Sequence, residues 1–200
     1  MSNKDYNLYG LTGPTGAGKS RVSRIFEESG FAVADADKIA HKALTEPDCI
    51  KSLCDTFSSD ILNPDGSINR PTLGTIAFSS KENTATLNSI THPVITRLCL
   101  ETFENFASQG FGNIILDAPT LIEAKMDTLC KKVICVLSPK DLRLERILKR
   151  DSITPEKATE RINAQHPDNF YTEKSHYVII NDSDEETLRI RTEEIIKELL

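Results

Sequence analysis

The sequence predicts an α/β fold, a five-stranded parallel sheet flanked by helices and interrupted by one long helical insertion and one shorter helical excursion. Three observations predict it. Five short apolar runs, Leu8 to Leu11, Phe31 to Ala34, Asn113 to Asp117, Lys132 to Leu137 and Tyr177 to Ile180, alternate with segments whose apolar residues recur at helical spacing. The first run passes into the first helical pattern through Gly13-Pro14-Thr15-Gly16-Ala17-Gly18-Lys19-Ser20, which fits G-x-x-x-x-G-K-[ST]. From Pro47 to about Gln109 only helical patterning is found. A chain of 200 residues is long enough for one sizeable core, which favours one folding unit with insertions over two independent domains.

Glycines at 13, 16 and 18 open backbone conformations closed to other residues, so successive N–H groups can turn inward around a phosphate. Lys19 is placed to reach the β- and γ-phosphates and the Ser20 hydroxyl to ligate Mg²⁺. The helix starting near Lys19 adds its positive dipole end. The loop predicts nucleoside triphosphate binding, but not the fate of the γ-phosphate.

Val22, Ile25 and Phe26 define the first helix, with Gly30 at its C′ position. Phe31 to Ala34 reads as a buried strand ending at Asp35-Ala36-Asp37. Ligands of open α/β sheets bind outside the carboxyl ends of the strands, so both carboxylates are expected on the rim that carries the phosphate loop. The alternative is that one of them only caps the helix through Ile39, Ala40 and Leu44.

In the insertion, Leu53 and Phe57 mark one helix, Asn63 to Gly66 a turn, and Leu73, Ile76 and Ala77 a helix after Pro71. Apolar periodicity runs from Leu87 to Phe106, with an interruption expected at His92-Pro93. Arg70, His92 and Arg97 read, on spacing alone, as solvated or core-satisfied groups.

Asn113 to Asp117 is an apolar strand ending in an acid that can hold the magnesium shell beside Ser20. After Lys132 to Leu137, Ser138 with Asp141 predicts a capping-box-like helix start. Arg143, Arg146 and Arg150 share one face of that helix, either as a phosphate clamp or as a solvated basic stripe. Thr154-Pro155 opens a second helix carrying Arg161, which runs to Gln165. Two arginine-bearing helices on a short link resemble a lid. Tyr177 to Ile180 reads as a last buried strand ending at Asn181, and Ser183 with Glu186 starts a C-terminal helix.

A net charge of −6 without a Lys/Arg block argues against a nucleic-acid-binding surface. Cys49, Cys54, Cys99, Cys130 and Cys135 lack C-x-x-C spacing and read as reduced packing thiols. Met1 to Asn7 is polar, and no run of about 18 apolar residues occurs, so a soluble cytoplasmic chain is expected.

Taken together these motifs resemble the dephospho-coenzyme A kinase family. Beyond the loop, Ala34-Asp35-Ala36-Asp37-Lys38-Ile39-Ala40-His41 is close to the family pattern I-D-A-D-x-I-A. Asp65-Gly66, Asn69-Arg70, Leu73, Phe78, Leu87, His92 and Pro93 follow in order. Arg146, Arg150, Arg161, Gln165 and Asn181 fall where the family places lid and adenine-side residues. The chain departs from the pattern at Pro14-Thr15, Thr120, Ile122, Arg143 and His176.

The resemblance implies a P-loop kinase fold. Residues 1–37, 110–138 and 175–200 would form the nucleotide-binding core, 38–109 a helical substrate-binding subdomain and 139–174 the lid. It implies transfer of the ATP γ-phosphoryl to the ribose 3′-hydroxyl of dephospho-coenzyme A, with Mg²⁺, and no nucleic-acid, membrane or protein partner. Asp37 would be the base, with Lys19 and Asp35 at the reacting centre. ATP would contact residues 13–20 with Arg146, Arg150 and Asn181. The acceptor side would comprise Asp37, Arg70, His92, Arg97, Asp117 and Arg161, and Ser20 and Asp117 would hold the metal. Another small-substrate kinase, such as a nucleoside monophosphate kinase, shares these features. A nucleotide-dependent switch is the third reading, although a guanine-reading N-K-x-D is absent from the sequence.

Overall fold

The computed structural model describes residues 6–200, so the polar residues 1–5 noted above lie outside the described residues. Strand β1 (Asn7–Thr12) is followed by α1 (Lys19–Glu28), β2 (Ala32–Asp35), α2 (Ala36–Ala43), α3 (Pro47–Phe57), α4 (Arg70–Ala77) and α5 (Lys81–Ser108). Then come β3 (Asn113–Asp117), β4 (Lys132–Leu137), α6 (Lys140–Asp151), α7 (Pro155–Asn163), α8 (Asp168–Thr172), β5 (Tyr177–Ile180) and α9 (Glu185–Leu199). Short 3₁₀ turns lie at Ser59–Ile61 and Met126–Leu129.

The strands form one five-stranded parallel sheet in the order β2-β3-β1-β4-β5. The central strand β1 pairs Leu8 with Ile114 on one side and Gly10 with Val133 on the other. Burial on both faces explains why β3 and β4 read as continuous apolar runs. The outer strands differ from the sequence reading: β2 alternates buried with half-buried residues, and only Ile179 is buried in β5. Their edge positions are the reason, since an edge strand faces solvent on one side of the ladder.

The chain divides into two compact units. One runs through Ala34 and resumes over Phe106–Leu200; the other is Asp35–Asn105. In the first unit Tyr9, Leu11, Ile115, Ile134 and Val136 of the sheet pack with Val22, Ile25 and Phe26 of α1 and with Leu188, Ile195 and Ile196 of α9. A satellite of Ile147, Ala158 and Ile162 joins α6 to α7. The second unit has its own core of Cys49, Leu53, Phe57, Ile61, Ile68, Leu73 and Ala77. All five cysteines are reduced, and among the described residues no helix is long and apolar enough to cross a membrane.

Three local expectations are corrected. Helix α5 continues through Pro93. Ser89, whose carbonyl lacks the proline's N–H, and Pro93 are both exposed, so water can take the lost bond while the turns on either side hold. Helix α6 has no capping box: Pro139 is at its N-cap, and the Ser138 hydroxyl accepts from Arg146 instead. Helix α9 is capped by Asp184, whose carboxylate accepts from the Thr187 N–H, not by Ser183.

Candidate active site

In the first unit the loop between β1 and α1 is held from outside by its carbonyls. The Thr15 carbonyl accepts from Arg143 Nε at 3.0 Å, Gly16 from Arg146 Nη1 at 3.3 Å, and Ala17 from Asn181 Nδ2 at 2.7 Å. In a trans peptide the C=O and the following N–H point in opposite directions. Three outward carbonyls therefore turn the Gly16, Ala17 and Gly18 amides to the other side, where Ala17 N–H closes a turn onto the Pro14 carbonyl. Glycine is required at two points by position as well as by φ. At Gly13 (φ 143°) a Cβ would fall on the Val136 carbonyl, and at Gly18 (φ 102°) on the Asn181 amide.

Lys19 and Ser23 are one turn apart on α1 and meet the carboxylate that ends β3. Lys19 Nζ pairs with Asp117 Oδ1, and the Ser23 hydroxyl donates to Asp117 Oδ2. Lys19 and Asp117 are each about 15% exposed, so the pair is only partly screened. Ser20 is exposed in the first turn of α1.

The three arginines of α6 do not form one stripe of mobile charge. Arg143 is 5% exposed, and burial pulls its guanidinium below the ordinary value, partly offset by Asp168 at 3.8 Å. Arg146 is committed to Gly16, Ser138 and both oxygens of Asn181. Arg150 instead pairs with Asp151, which Arg161 of α7 also reaches. These two cations hold the Asp151 carboxyl down at about 2, the Arg150 hydrogen bonds contributing most.

In the second unit, α2 leaves the carboxyl end of β2. Asp35 caps it, with Oδ1 accepting from Lys38 N at 3.0 Å and Oδ2 lying 3.3 Å from Lys38 Nζ. Partial burial pushes the Asp35 carboxyl up, but the Lys38 amide and ammonium outweigh it and hold it below the usual carboxylate range. Asp37 is exposed in the first turn. His41, one turn on, meets Arg70 with Nη2 2.5 Å from Nε2; a guanidinium only donates, so this imidazole nitrogen accepts. Arg97 pairs with Glu46 and Glu101, each at 2.7 Å, and His92 is exposed on α5.

The family model for dephospho-CoA kinase matches residues 7–187. The chain is 39% identical over 183 residues to the dephospho-CoA kinase of Carboxydothermus hydrogenoformans, covering 91% of this chain and 89% of that one. The chain belongs to the dephospho-CoA kinase family.

Among solved structures, a dephospho-CoA kinase from Campylobacter jejuni matches with a TM-score of 0.64 and 30% identity over 98% of each chain. A protein of Thermus thermophilus has the same fold, with a TM-score of 0.83 at 24% identity over 98% of each chain. For this dephospho-CoA kinase family member, the structure gathers residues 13–19 with Asp117, Arg146 and Asn181 in one unit. Arg150 and Arg161 share Asp151 in the same unit, apart from that network. Arg70 joins His41 in the other unit, while Arg97 is in a separate ion cluster. Sequence reasoning missed Ser23 and His41. Both stand four residues after a residue it did select, Lys19 and Asp37, and this i,i+4 spacing is the signal that could have found them.

Proposed function

We propose that this chain transfers the γ-phosphoryl of ATP to the ribose 3′-hydroxyl of dephospho-coenzyme A, with the loop Gly13–Ser20 as the phosphate cradle and Asp37 as the general base. The observation that carries the phosphate side is the trio of loop carbonyls held outward by Arg143, Arg146 and Asn181. It fixes the Gly16 and Gly18 amides inward before any ligand arrives, and such donors need no reorganisation in the transition state.

Lys19 is held at the loop by Asp117 and is free to exchange that carboxylate for phosphate oxygens, keeping one positive charge where transferred charge develops. For Asp37 the support is threefold. Asp35 is engaged by Lys38, α2 starts directly from the carboxyl end of β2, and Asp37 is an exposed carboxylate of its first turn. Arg70, His92, Arg97 and Arg161 are assigned to the acceptor side and Arg150 to the nucleotide, with Arg150 and Arg161 both in a lid formed by residues 139–174.

The donor set also fits Mg²⁺. The Ser20 hydroxyl and the Asp117 carboxylate are hard oxygen ligands beside the loop, and among the described residues no cluster of three His, Cys, Asp or Glu forms a cage of its own. That matches an ion held chiefly by substrate phosphates and one or two protein oxygens. When bound, it would neutralise charge on the phosphate oxygens.

The test is Asp37→Asn beside Asp35→Asn. Asparagine caps a helix as well as aspartate but cannot accept a proton. Asp37→Asn should keep MgATP binding and lose about 10²- to 10⁴-fold in kcat, the usual worth of general-base assistance. Asp35→Asn should lose less turnover than Asp37→Asn, because Asp35 would orient the hydroxyl or the metal shell and take no proton. Near-native turnover of Asp37→Asn would remove it as the base.

A further inference from the structure

The apex of the phosphate loop is tied at both backbone polar groups of a single residue. The Thr15 N–H donates to Gln165 Oε1 at 3.0 Å, and the Thr15 carbonyl accepts from Arg143 Nε at 3.0 Å. The two side chains also hold each other, Arg143 Nη2 donating to the same Gln165 Oε1 at 2.9 Å. The result is a closed ring of three hydrogen bonds around one peptide residue. Arg143 is nearly fully buried and Thr15 and Gln165 are half-buried, so water competes weakly for these groups.

The ring also has a place in the chain. Arg143 lies in the first turn of α6, and Gln165 comes two residues after the end of α7. Asp168, the first residue of α8, stands 3.8 Å from Arg143 Nη1. The entry to the α6–α7 hairpin and its exit are thus both fastened to Thr15, which precedes the loop amides that face a phosphate.

We infer that Arg143 and Gln165 form a latch joining both ends of the α6–α7 hairpin to the apex of the phosphate loop, with Gln165 as a positioning residue for the nucleotide. The latch rests on reading the loop as the ATP site, but not on the identity of the acceptor. Its logic is peptide geometry: while Arg143 keeps the Thr15 carbonyl outward, the Gly16 N–H of the same peptide faces inward, and Gln165 fixes the preceding Pro14–Thr15 peptide by its N–H, so both peptides flanking Thr15 are held. A movement of the hairpin that displaced either side chain would loosen the apex. The loop's readiness to bind is therefore coupled to the hairpin's position.

Only the carbonyl oxygen of Gln165 takes part in the ring. That gives a chemical test in the full chain. Gln165→Met keeps length and volume but removes the acceptor, leaving a buried guanidinium arm and a half-buried N–H unpaired. Gln165→Glu keeps the acceptor and faces the same cation.

Titration with MgATP alone should show Gln165→Met binding about tenfold more weakly, the worth of roughly one lost hydrogen bond, and Gln165→Glu within about threefold of the parent. KM for ATP should follow, while KM for dephospho-coenzyme A stays within about twofold. Arg143→Lys, which keeps the charge but cannot bridge both partners, should also weaken MgATP. Exchange of the Thr15 amide with deuterium should speed up in Gln165→Met and not in Gln165→Glu.

Unchanged MgATP binding in Gln165→Met would overturn the latch. So would equal weakening in the Met and Glu variants, or a fall in Tm without a change in ATP affinity. A parent chain that binds MgATP normally but leaves dephospho-coenzyme A untouched would overturn the acceptor assignment instead, and the comparison of the three variants would stand.

Discussion

Lys19 is the residue on which charge and geometry meet most directly. Its ammonium is neutralised by Asp117 beside a loop whose amides already face one way, so a phosphate entering the loop competes with a carboxylate for the same cation. Lys19→Ala should leave the fold intact, because the side chain ends on the partly exposed Asp117 carboxylate rather than among core residues. It should lower kcat by a hundredfold or more, about 3 kcal/mol of transition-state stabilisation, measured by steady-state ADP release. Turnover near that of the parent would separate the loop from the chemistry.

Asp151 gives a second test at this scale. Its carboxyl is held at about 2 by Arg150 and Arg161, below the unfolded value of about 3.9. A depressed carboxylate adds stability that is fully present above the unfolded value and disappears as pH falls through the folded one. The Asp151 carbon resonance should therefore titrate with a midpoint near 2, and a midpoint near 4 would mean that the arginine pair does not form in solution.

At the scale of elements, α5 makes the sharpest statement. A proline inside a 28-residue helix deletes one backbone bond and crowds the preceding turn, yet the helix persists because Ser89 and Pro93 lie on its exposed side. Pro93→Ala restores the bond to Ser89 and should raise stability by about 1 to 3 kcal/mol, read from urea denaturation with an unchanged m-value. A destabilised variant would show that the proline is needed for the packing of α5.

The same helix shows what sequence could and could not say. The five strands, the phosphate loop and the helices after Pro47, Pro71 and Thr154 were legible because apolar periodicity and turn residues act over a few positions. The continuation through Pro93, the Asp184 cap and the short helix α8 were not, because they depend on which face meets water and on which of several neighbouring polar groups wins. The site divides in the same way. Residues 13–20 and Asp117 stand in a pattern of their own. The outward grip on the loop depends on Arg143, Arg146, Gln165 and Asn181, which lie more than 120 positions away in the chain. Spacing suggested one cationic stripe on α6, whereas folding buried Arg143, enclosed Arg146 and left only Arg150 outward, with Asp151.

At the scale of the whole molecule, each unit has a core that the other does not share. Leu53→Ala and Phe26→Ala each empty a fully buried position and should cost about 2 to 5 kcal/mol. Native-state hydrogen exchange should place the first lost protection within Asp35–Asn105 for Leu53→Ala and in the sheet unit for Phe26→Ala. Uniform loss in both would mean that the two cores unfold as one.

The most direct measurement is ADP release across a panel of acceptors, with the product phosphate located by ³¹P NMR. The expected result is one ADP per dephospho-coenzyme A consumed, a new phosphomonoester at the ribose 3′ position, and far slower release with nucleoside monophosphates or without an acceptor. Slow hydrolysis indifferent to dephospho-coenzyme A, or preferential phosphorylation of a nucleoside monophosphate, would contradict it.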